Sequence, residues 1–173
     1  PVATDGSATN SLSFITSVNG LDHENAHDAL SDVGATIAVA SLIRSKQPKL
    51  FQYLLGMRDK KRVAELVMSG EPFVYTSGAY PSEYQKTTVV VLLAELPNNQ
   101  GALVYDLRTD PSKYAKLSVK DIAARLRWTP RGVEREYFPV NTLKFNRCPA
   151  VAPLSVLDTA SQARLGIKLD DIP

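Results

Sequence analysis

His27 and Asp32 are the residues of this chain whose types and spacing most directly suggest chemistry. An imidazole with a pKa near neutrality can deprotonate a water molecule, and a carboxylate can bind a metal ion. Residues five positions apart on a regular helix point about 140° away from each other. The two side chains can therefore face one cleft only if His27 lies in or before the first turn of the helix that carries Asp32.

The sequence around these two residues predicts such a helix. Asn25 is a candidate N-cap, and Asp28 follows three positions later, as in a capping box. An apolar stripe at helical spacing comes next, formed by Leu30, Val33, Ile37 and Ala40. We therefore expect a helix over residues 26–45 that begins beside His27.

Two other interpretations of these residues stay open. His27 and Asp28 can simply be polar residues at a helix start. A zinc site formed by His23, His27 and Asp32 is the second alternative, although no cysteine lies nearby to complete it. A small zinc enzyme of that kind would be recognised by stoichiometric zinc in the purified protein.

The composition is that of a chain able to build its own core. Its 173 residues, 44% of them hydrophobic, suffice for one domain or two small ones. The sequence contains neither a run of about 18 apolar residues nor a signal-peptide pattern. The single cysteine, Cys148, cannot form an internal disulfide, which suits the cytoplasm. We expect its thiol to be packed rather than catalytic, since no histidine is adjacent in sequence.

Basic residues are concentrated between positions 108 and 147. Ten basic residues stand there against four acidic ones, a net charge of +6, and the rest of the chain carries −4. Aromatic residues are interleaved with them, namely Trp128, Tyr137, Phe138 and Phe145. A surface that follows a phosphate backbone and stacks exposed bases uses this combination. A solvated face above core aromatics is an equal alternative.

The first part of the chain reads as helical and the second as a sheet. Residues 1–14 read as a surface loop, Pro48 can begin a second helix, and Asp59 can cap a third. Strands are predicted at residues 72–76, 87–94, 102–107 and 138–145.

Two further helices are expected within and after the sheet. Ser118 and Asp121 form a capping pair that opens the first. Asp158 or Thr159 can cap the second, which would stop at Gly166.

Three stretches of the chain carry recognisable motifs. The first, residues 19–62, contains the segment Gly-Leu-Asp-His-Glu-Asn-Ala-His-Asp-Ala-Leu-Ser-Asp-Val with His27 and Asp32. The second is Phe-Val-Tyr-Thr-Ser-Gly at 73–78, and the third is Pro-Val-Asn-Thr-Leu-Lys-Phe-Asn-Arg-Cys-Pro-Ala-Val-Ala-Pro at 139–153. In order and spacing they resemble bacterial exonuclease I, a family of DEDD exonucleases whose last catalytic motif holds a histidine and an aspartate five apart.

The resemblance implies an α/β chain in three parts. Residues 1–56 would be the helical C-terminal remnant of a ribonuclease H-like exonuclease domain. Residues 57–152 would form an SH3-like β-barrel domain with an inserted helix, and residues 153–173 would begin a helical C-terminal domain. In that family the domains form a clamp around single-stranded DNA, and a monomer is expected.

The resemblance also implies an activity. The chain would be a fragment of a DNA-repair exodeoxyribonuclease that degrades single-stranded DNA 3′→5′ to mononucleotides by two-metal hydrolysis. His27 would be the general base and Asp32 a ligand of one of two Mg²⁺ ions, which Mn²⁺ can replace. The family's other three carboxylates would precede residue 1, and about four residues would be missing after Phe14. The fragment alone is therefore expected to be inactive.

Two kinds of partner follow from the same resemblance. Candidate DNA contacts are Arg125, Arg127, Arg131, Lys144 and Arg147. Tyr53 matches a residue associated with binding of the single-strand DNA-binding protein, although Glu71 and Asp158 stand where basic residues would be expected. The rival interpretation is a non-catalytic module that binds single-stranded DNA or a protein tail, with the His27 motif as a relic.

Overall fold

The computed structural model describes Thr9 and residues 11–22, 28–126 and 137–168. The chain divides into two compact units, Pro1–Gly56 and Met57–Pro173. The described part of the first unit is helical, and that of the second unit contains a sheet with three α-helices. Among the residues described, no helix is long and apolar enough to cross a membrane.

The described part of the first unit contains three helices: α1 (Leu12–Val18), α2 (Ala29–Lys46) and α3 (Pro48–Gly56). The prediction that residues 1–14 form a loop is wrong at its end, because α1 starts at Leu12. Ser11 caps this helix by accepting a 3.2 Å hydrogen bond from the backbone N–H of Phe14. The helix continues without a break from Ser13 to Thr16, where the family resemblance suggested missing residues.

Helix α2 begins three residues later than the capping argument predicted. Its N-cap is Asp28 rather than Asn25. The Asp28 carboxylate accepts hydrogen bonds of 3.1 Å from the backbone N–H groups of Leu30 and Ser31. These are donors that the helix leaves unsatisfied at its start, so one aspartate side chain is sufficient to fix the helix boundary.

The predicted apolar stripe of α2 is exposed. Leu30, Val33 and Ile37 are 83%, 56% and 61% exposed, whereas Ala35 on another face is 1% exposed. Helices α1 and α3 both contact α2. The described residues therefore leave one apolar face of α2 uncovered.

The second unit is built on a five-stranded antiparallel sheet with the order β4-β3-β2-β1-β5. Its strands are β1 (Phe73–Thr76), β2 (Thr87–Glu95), β3 (Gly101–Asp106), β4 (Val140–Lys144) and β5 (Ala150–Pro153). Four of them confirm the predicted strands. The fifth, β5, was missed because it is short and lies among prolines, although it pairs with β1 along four residues.

Three helices accompany the sheet: α4 (Lys60–Val67), α5 (Val119–Leu126) and α6 (Thr159–Leu165). Asp59 caps α4, and Asp158 caps α6 by accepting a 2.7 Å hydrogen bond from the Ser161 N–H. Helix α6 stops at Gly166, whose φ of 61° is left-handed. All three caps and this stop confirm the sequence prediction, including the Ser118–Asp121 pair before α5.

The core of the second unit extends beyond residue 153. Val90, Val104 and Leu143 are fully buried within the sheet. A further cluster joins two strand residues to residues near α6, and consists of Val74, Val89, Leu157, Leu165 and Ile167. Leu157, Leu165 and Ile167 therefore pack onto the same sheet as Val74 and Val89.

Cys148 differs from its expected environment. The thiol is exposed instead of packed. Cys148 follows the 3-10 turn Phe145–Arg147, which comes directly after β4, and it has a left-handed φ of 47°.

Candidate functional site

Asp32 lies in the first turn of α2, as the motif requires. Its backbone N–H donates to the Asp28 carbonyl at 2.9 Å, and its own carbonyl accepts from Thr36 Oγ1 at 2.8 Å. The positive end of the helix dipole favours a carboxylate at this position. The N-cap Asp28 thus determines the turn from which the Asp32 side chain projects.

His27 immediately precedes this N-cap but lies outside the described residues, as does His23. The structure therefore does not place either imidazole against Asp32. That His27 and Asp32 face one cleft stays a prediction.

The described residues do not form a metal site on their own. They contain no group of three or more His, Cys, Asp or Glu side chains that could hold an ion. Asp32 can contribute one carboxylate, whereas a pair of ions about 4 Å apart needs several. Any metal centre that uses Asp32 must take its other ligands from elsewhere.

Arg125, Lys144 and Arg147 are the predicted DNA contacts that the structure describes. Arg127 and Arg131 lie outside the described residues. Lys144 is exposed at the end of β4, and Arg147 is exposed in the turn that follows. Arg125 is in the last turn of α5, and its guanidinium carbon lies 5.9 Å from the centre of the Phe138 ring. The structure thus brings an arginine and an aromatic residue of the basic segment together.

A cavity of about 430 Å³ opens beside this arginine and aromatic pair. We call it the α5–β4 cavity. Arg125 and Leu126 of α5 line it together with Tyr137, Phe138, Asn141 and Thr142. Its size falls within the range of small-molecule sites, and its wall combines aromatic, amide, hydroxyl and guanidinium groups.

Sequence reasoning missed the buried carboxylate that supports this cavity. Asp106, at the end of β3, is 1% exposed. It accepts 2.5 Å hydrogen bonds from Thr88 Oγ1 and from the Tyr137 hydroxyl. It also accepts from the backbone N–H of Arg108 and forms an ion pair with its guanidinium at 3.4 Å. No local signal marks Asp106, since its tyrosine partner is 31 residues away in sequence.

The Asp106 network changes the acidity of the tyrosines around it. Burial raises the pKa of Tyr137 far above its usual range, and the hydrogen bond to Asp106 raises this pKa further. Burial also raises the pKa of Tyr80, with the Asp106 charge as the next cause. The Tyr137 hydroxyl therefore stays protonated at neutral pH and donates to Asp106.

A second cavity of about 350 Å³ lies near the C-terminal end of α6. Arg108, Tyr84, Gly166 and Lys168 line it, and the Arg108 guanidinium carbon is 4.0 Å from the centre of the Tyr84 ring. The Arg108 charge is already opposed by Asp106. This cavity consequently offers one cation, Lys168, that is exposed.

Tyr53, Glu71 and Asp158 are the residues tied to the predicted protein partner. Tyr53 is partly exposed on α3, and Glu71 is exposed. Asp158 has a structural task as the cap of α6, and its hydrogen bonds from Ser161 lower its pKa. The contact with a single-strand DNA-binding protein stays a prediction.

The sequence model of the exonuclease I SH3-like domain matches residues 58–172. The chain belongs to the exonuclease I family. It is 40% identical over 171 residues to exodeoxyribonuclease I of Haemophilus influenzae, and the match covers 94% of this chain and 36% of the relative. The match confirms the resemblance found in the sequence.

Solved structures of this family have the same fold. Exonuclease I of Methylocaldum szegediense is 41% identical with a TM-score of 0.84, over 99% of this chain and 37% of that one. Escherichia coli exonuclease I in complex with a dA16 oligonucleotide is 34% identical with a TM-score of 0.85, over the same shares. The chain thus spans just over a third of the length of the proteins it matches.

Residues 23–27 also read His-Glu-Asn-Ala-His, the spacing of two zinc-binding histidines in a metalloprotease helix. These five residues lie outside the described part of the chain. Because the Haemophilus influenzae relative matches 94% of this chain and is named a nuclease, we assign no protease function to the spacing.

Proposed function

We propose that this chain is part of an exodeoxyribonuclease that degrades single-stranded DNA 3′→5′ to mononucleotides in the bacterial cytoplasm, in the service of DNA repair. The observation that carries the proposal is the 40% identity with exodeoxyribonuclease I over 94% of the chain. The oligonucleotide complex of the Escherichia coli relative supports single-stranded DNA as the substrate.

The division of the chain belongs to the same proposal. Residues 1–56 would complete a ribonuclease H-like exonuclease domain, and the uncovered face of α2 with Leu30 at 83% exposure supports their packing against the rest of that domain. Residues 57–152 would be the SH3-like domain and 153–173 the start of the helical domain. The packing of Leu165 and Ile167 with Val74 favours a boundary later than 152.

His27 and Asp32 would have separate tasks in the reaction. His27 would accept a proton from the attacking water, for which an imidazole near neutral pKa is suited. Asp32 would be one ligand of a Mg²⁺ pair, for which Mn²⁺ can substitute. Such ions activate water and stabilise the charge that develops on phosphate. The remaining ligands would come from the part of the relatives' length that this chain does not span, so the chain by itself would bind DNA weakly and hydrolyse little or none.

Cations of the second unit would hold the strand. Arg125, Lys144 and Arg147 would contact phosphates, together with Arg127 and Arg131. Each phosphate contact releases counterions, so DNA affinity should fall steeply as salt is added. Binding that does not depend on salt would contradict this part of the proposal.

A non-catalytic binding module is the second candidate function. The observation in its favour is that the described residues contain a cavity with aromatic and basic groups but no metal-binding cluster. A protein-tail module using Tyr53 would bind an acidic peptide and not an oligonucleotide. A monomer is expected in either case.

The direction of degradation tests the proposal. The full-length protein, with Mg²⁺, would be given single-stranded oligonucleotides labelled at either the 3′ or the 5′ end. The proposal predicts immediate release of the 3′ label as a mononucleotide and late release of the 5′ label. Release of the 5′ label before the 3′ label, or release of neither label, would overturn the proposal.

A further inference from the structure

We propose that the α5–β4 cavity binds one base of single-stranded DNA by stacking on Phe138. The inference rests on the proposed function, since it names the part of the substrate that this cavity holds. Among the cavity residues, Arg125 is a candidate DNA contact by sequence, and Tyr137 and Phe138 are aromatic residues of the basic segment, but the sequence assigns a base to none of them.

Neighbouring residues hold the Phe138 ring in place. The Tyr114 ring meets it edge to face, with the ring centres 5.5 Å apart and the planes at 78°. The Tyr114 hydroxyl donates to the Tyr137 carbonyl at 3.5 Å, next to Phe138 in the chain. Phe138 is partly exposed at the cavity wall. A ring held in this way loses little conformational freedom when a base stacks on it.

Tyr137 gives the cavity a second fixed aromatic wall. The residue is 37% exposed, yet its hydroxyl is hydrogen-bonded to the buried Asp106. The anchor is strong because the acceptor is a carboxylate. The cavity is therefore formed before any ligand arrives, which reduces the entropy lost on binding.

Polar groups of β4 can meet the edge of a base. Asn141 and Thr142 both line the cavity. The Asn141 amide lies beside the Tyr80 hydroxyl and lowers its pKa against the effect of burial, and the Asn141 Nδ2 atom is itself buried. The exposed Thr142 hydroxyl is therefore the β4 group that can offer a donor and an acceptor to the edge of a base.

Cations lie on two sides of the cavity. Arg125 is on the α5 side, and Lys144 is exposed two residues after Thr142 on β4, on the same face of the strand and about 7 Å away. Asp121 lies one turn before Arg125; its carboxylate accepts hydrogen bonds from the Ser118 hydroxyl and backbone N–H, and the Arg125 charge helps to lower its pKa. The cations can therefore meet the phosphates that flank a stacked base.

The second cavity is less suited to this role. Its arginine, Arg108, is paired with Asp106, and Arg108 Nη1 is buried. Its aromatic face, that of Tyr84, is already covered by the same guanidinium at 4.0 Å. A base would have to displace that contact before it could stack.

An abasic scan tests the proposal on the full-length protein. Affinity would be measured for an oligo-dT strand and for strands with a single abasic site at each position in turn. Phe138→Leu should weaken binding of the intact strand about tenfold, as expected for one lost base stack. At one position, an abasic site should weaken binding by the wild-type protein to a similar extent. The same abasic site should not weaken binding by Phe138→Leu any further. A plot of log affinity against log salt concentration should keep its slope in Phe138→Leu. In Arg125→Gln the slope should be smaller in magnitude by about one.

Three further variants distinguish the loss of a base stack from general damage to the fold. Tyr84→Leu removes the other aromatic ring that lies under an arginine, and it should keep the full abasic penalty at that position. Thr142→Glu places a carboxylate at the cavity from an exposed strand position and should weaken DNA binding at least tenfold, whereas Thr76→Glu, exposed on β1, should not.

The outcomes distinguish the inference from the proposed function. If the wild-type protein binds DNA and Phe138→Leu shows the same abasic penalty as wild type at every position, the cavity does not hold a base. Should Phe138→Leu fail to fold, equal affinities of Thr142→Glu and Thr76→Glu would overturn the inference. A wild-type protein with no affinity for single-stranded DNA would overturn the proposed function itself.

Discussion

The hydroxyl of Tyr137 donates a 2.5 Å hydrogen bond to the buried carboxylate of Asp106. This bond ties the residues that lead into β4 to the end of β3, and Thr88 on β2 joins the same carboxylate. Side-chain hydrogen bonds thus connect β2, β3 and the residues that precede β4. They also position one wall of the α5–β4 cavity.

Removing this hydroxyl should destabilise the second unit. Tyr137→Phe leaves the ring in place but takes one donor from a buried carboxylate, which costs about 1.5–3 kcal/mol. Tyr114→Phe removes a hydroxyl whose bond is exposed and 3.5 Å long, so it should cost well under 1 kcal/mol. Urea unfolding of both variants measures the difference. Equal losses would mean that the Asp106 network does not stabilise the fold.

Stability should fall at alkaline pH. Burial raises the pKa of Tyr105 to about 12, and the pKa of Tyr137 is raised as well. A tyrosine in the unfolded chain titrates near 10, so the folded protein holds these protons more tightly. Their stabilising effect is complete below pH 10 and is lost as the pH rises from about 10 towards 12. Unfolding measured at intervals over this range should show a falling free energy, with a shallower fall in Tyr105→Phe. A flat profile would refute the assignment.

Gly101 is required where the start of β3 pairs with the end of β4. A Cβ atom at this position would collide with the carbonyl oxygen of Leu143 in the neighbouring strand. Gly101→Ala must therefore move backbone, and we expect a loss of about 2 kcal/mol or more, in the range of overpacked sites. Gly78→Ala is the matched control, because nothing lies within 4 Å of its Cβ position. Thermal unfolding measures the difference between the two variants. Equal stabilities would contradict this account.

The cap of α2 should affect activity through helix geometry. Asp28→Ala removes the acceptor of two backbone hydrogen bonds and should cost about 1 kcal/mol. Because this helix positions Asp32, nucleotide release by the full-length protein should also fall. Asp28→Ser keeps a capping side chain and should restore both. An inactive but stable Asp28→Ser would instead indicate a direct chemical role for the Asp28 carboxylate.

Helix caps and strands that depend on residues close together in sequence could be predicted from local sequence rules. The caps Asp59 and Asp158 were predictable from the types of residue that begin a helix. The β-branched run in β2 likewise predicted a strand. Strand β5 was missed because four residues among prolines carry no periodic signal. The Asn25 cap was wrong because two acceptable capping residues lay three positions apart, and the sequence could not rank them.

Long-range relationships were not predictable. Asp106 meets Thr88 and Tyr137 across 18 and 31 residues, and no spacing rule connects them. The stripe with Leu30 was correctly predicted as apolar, but a periodic pattern does not say what covers it. Family resemblance, in contrast, came from whole motifs, and the comparison with known proteins confirmed it.

The pairing of His27 with Asp32 is the central claim, and nucleotide release tests it most directly. Mononucleotide release from single-stranded DNA would be followed for the full-length protein with Mg²⁺, and for its His27→Ala and Asp32→Asn variants. Asp59→Asn is the control, since asparagine also caps a helix. We predict a loss of about 10²-fold to 10⁴-fold for His27→Ala, a loss at least as large for Asp32→Asn, and no change in the control. Wild-type rates in His27→Ala and Asp32→Asn would contradict the account.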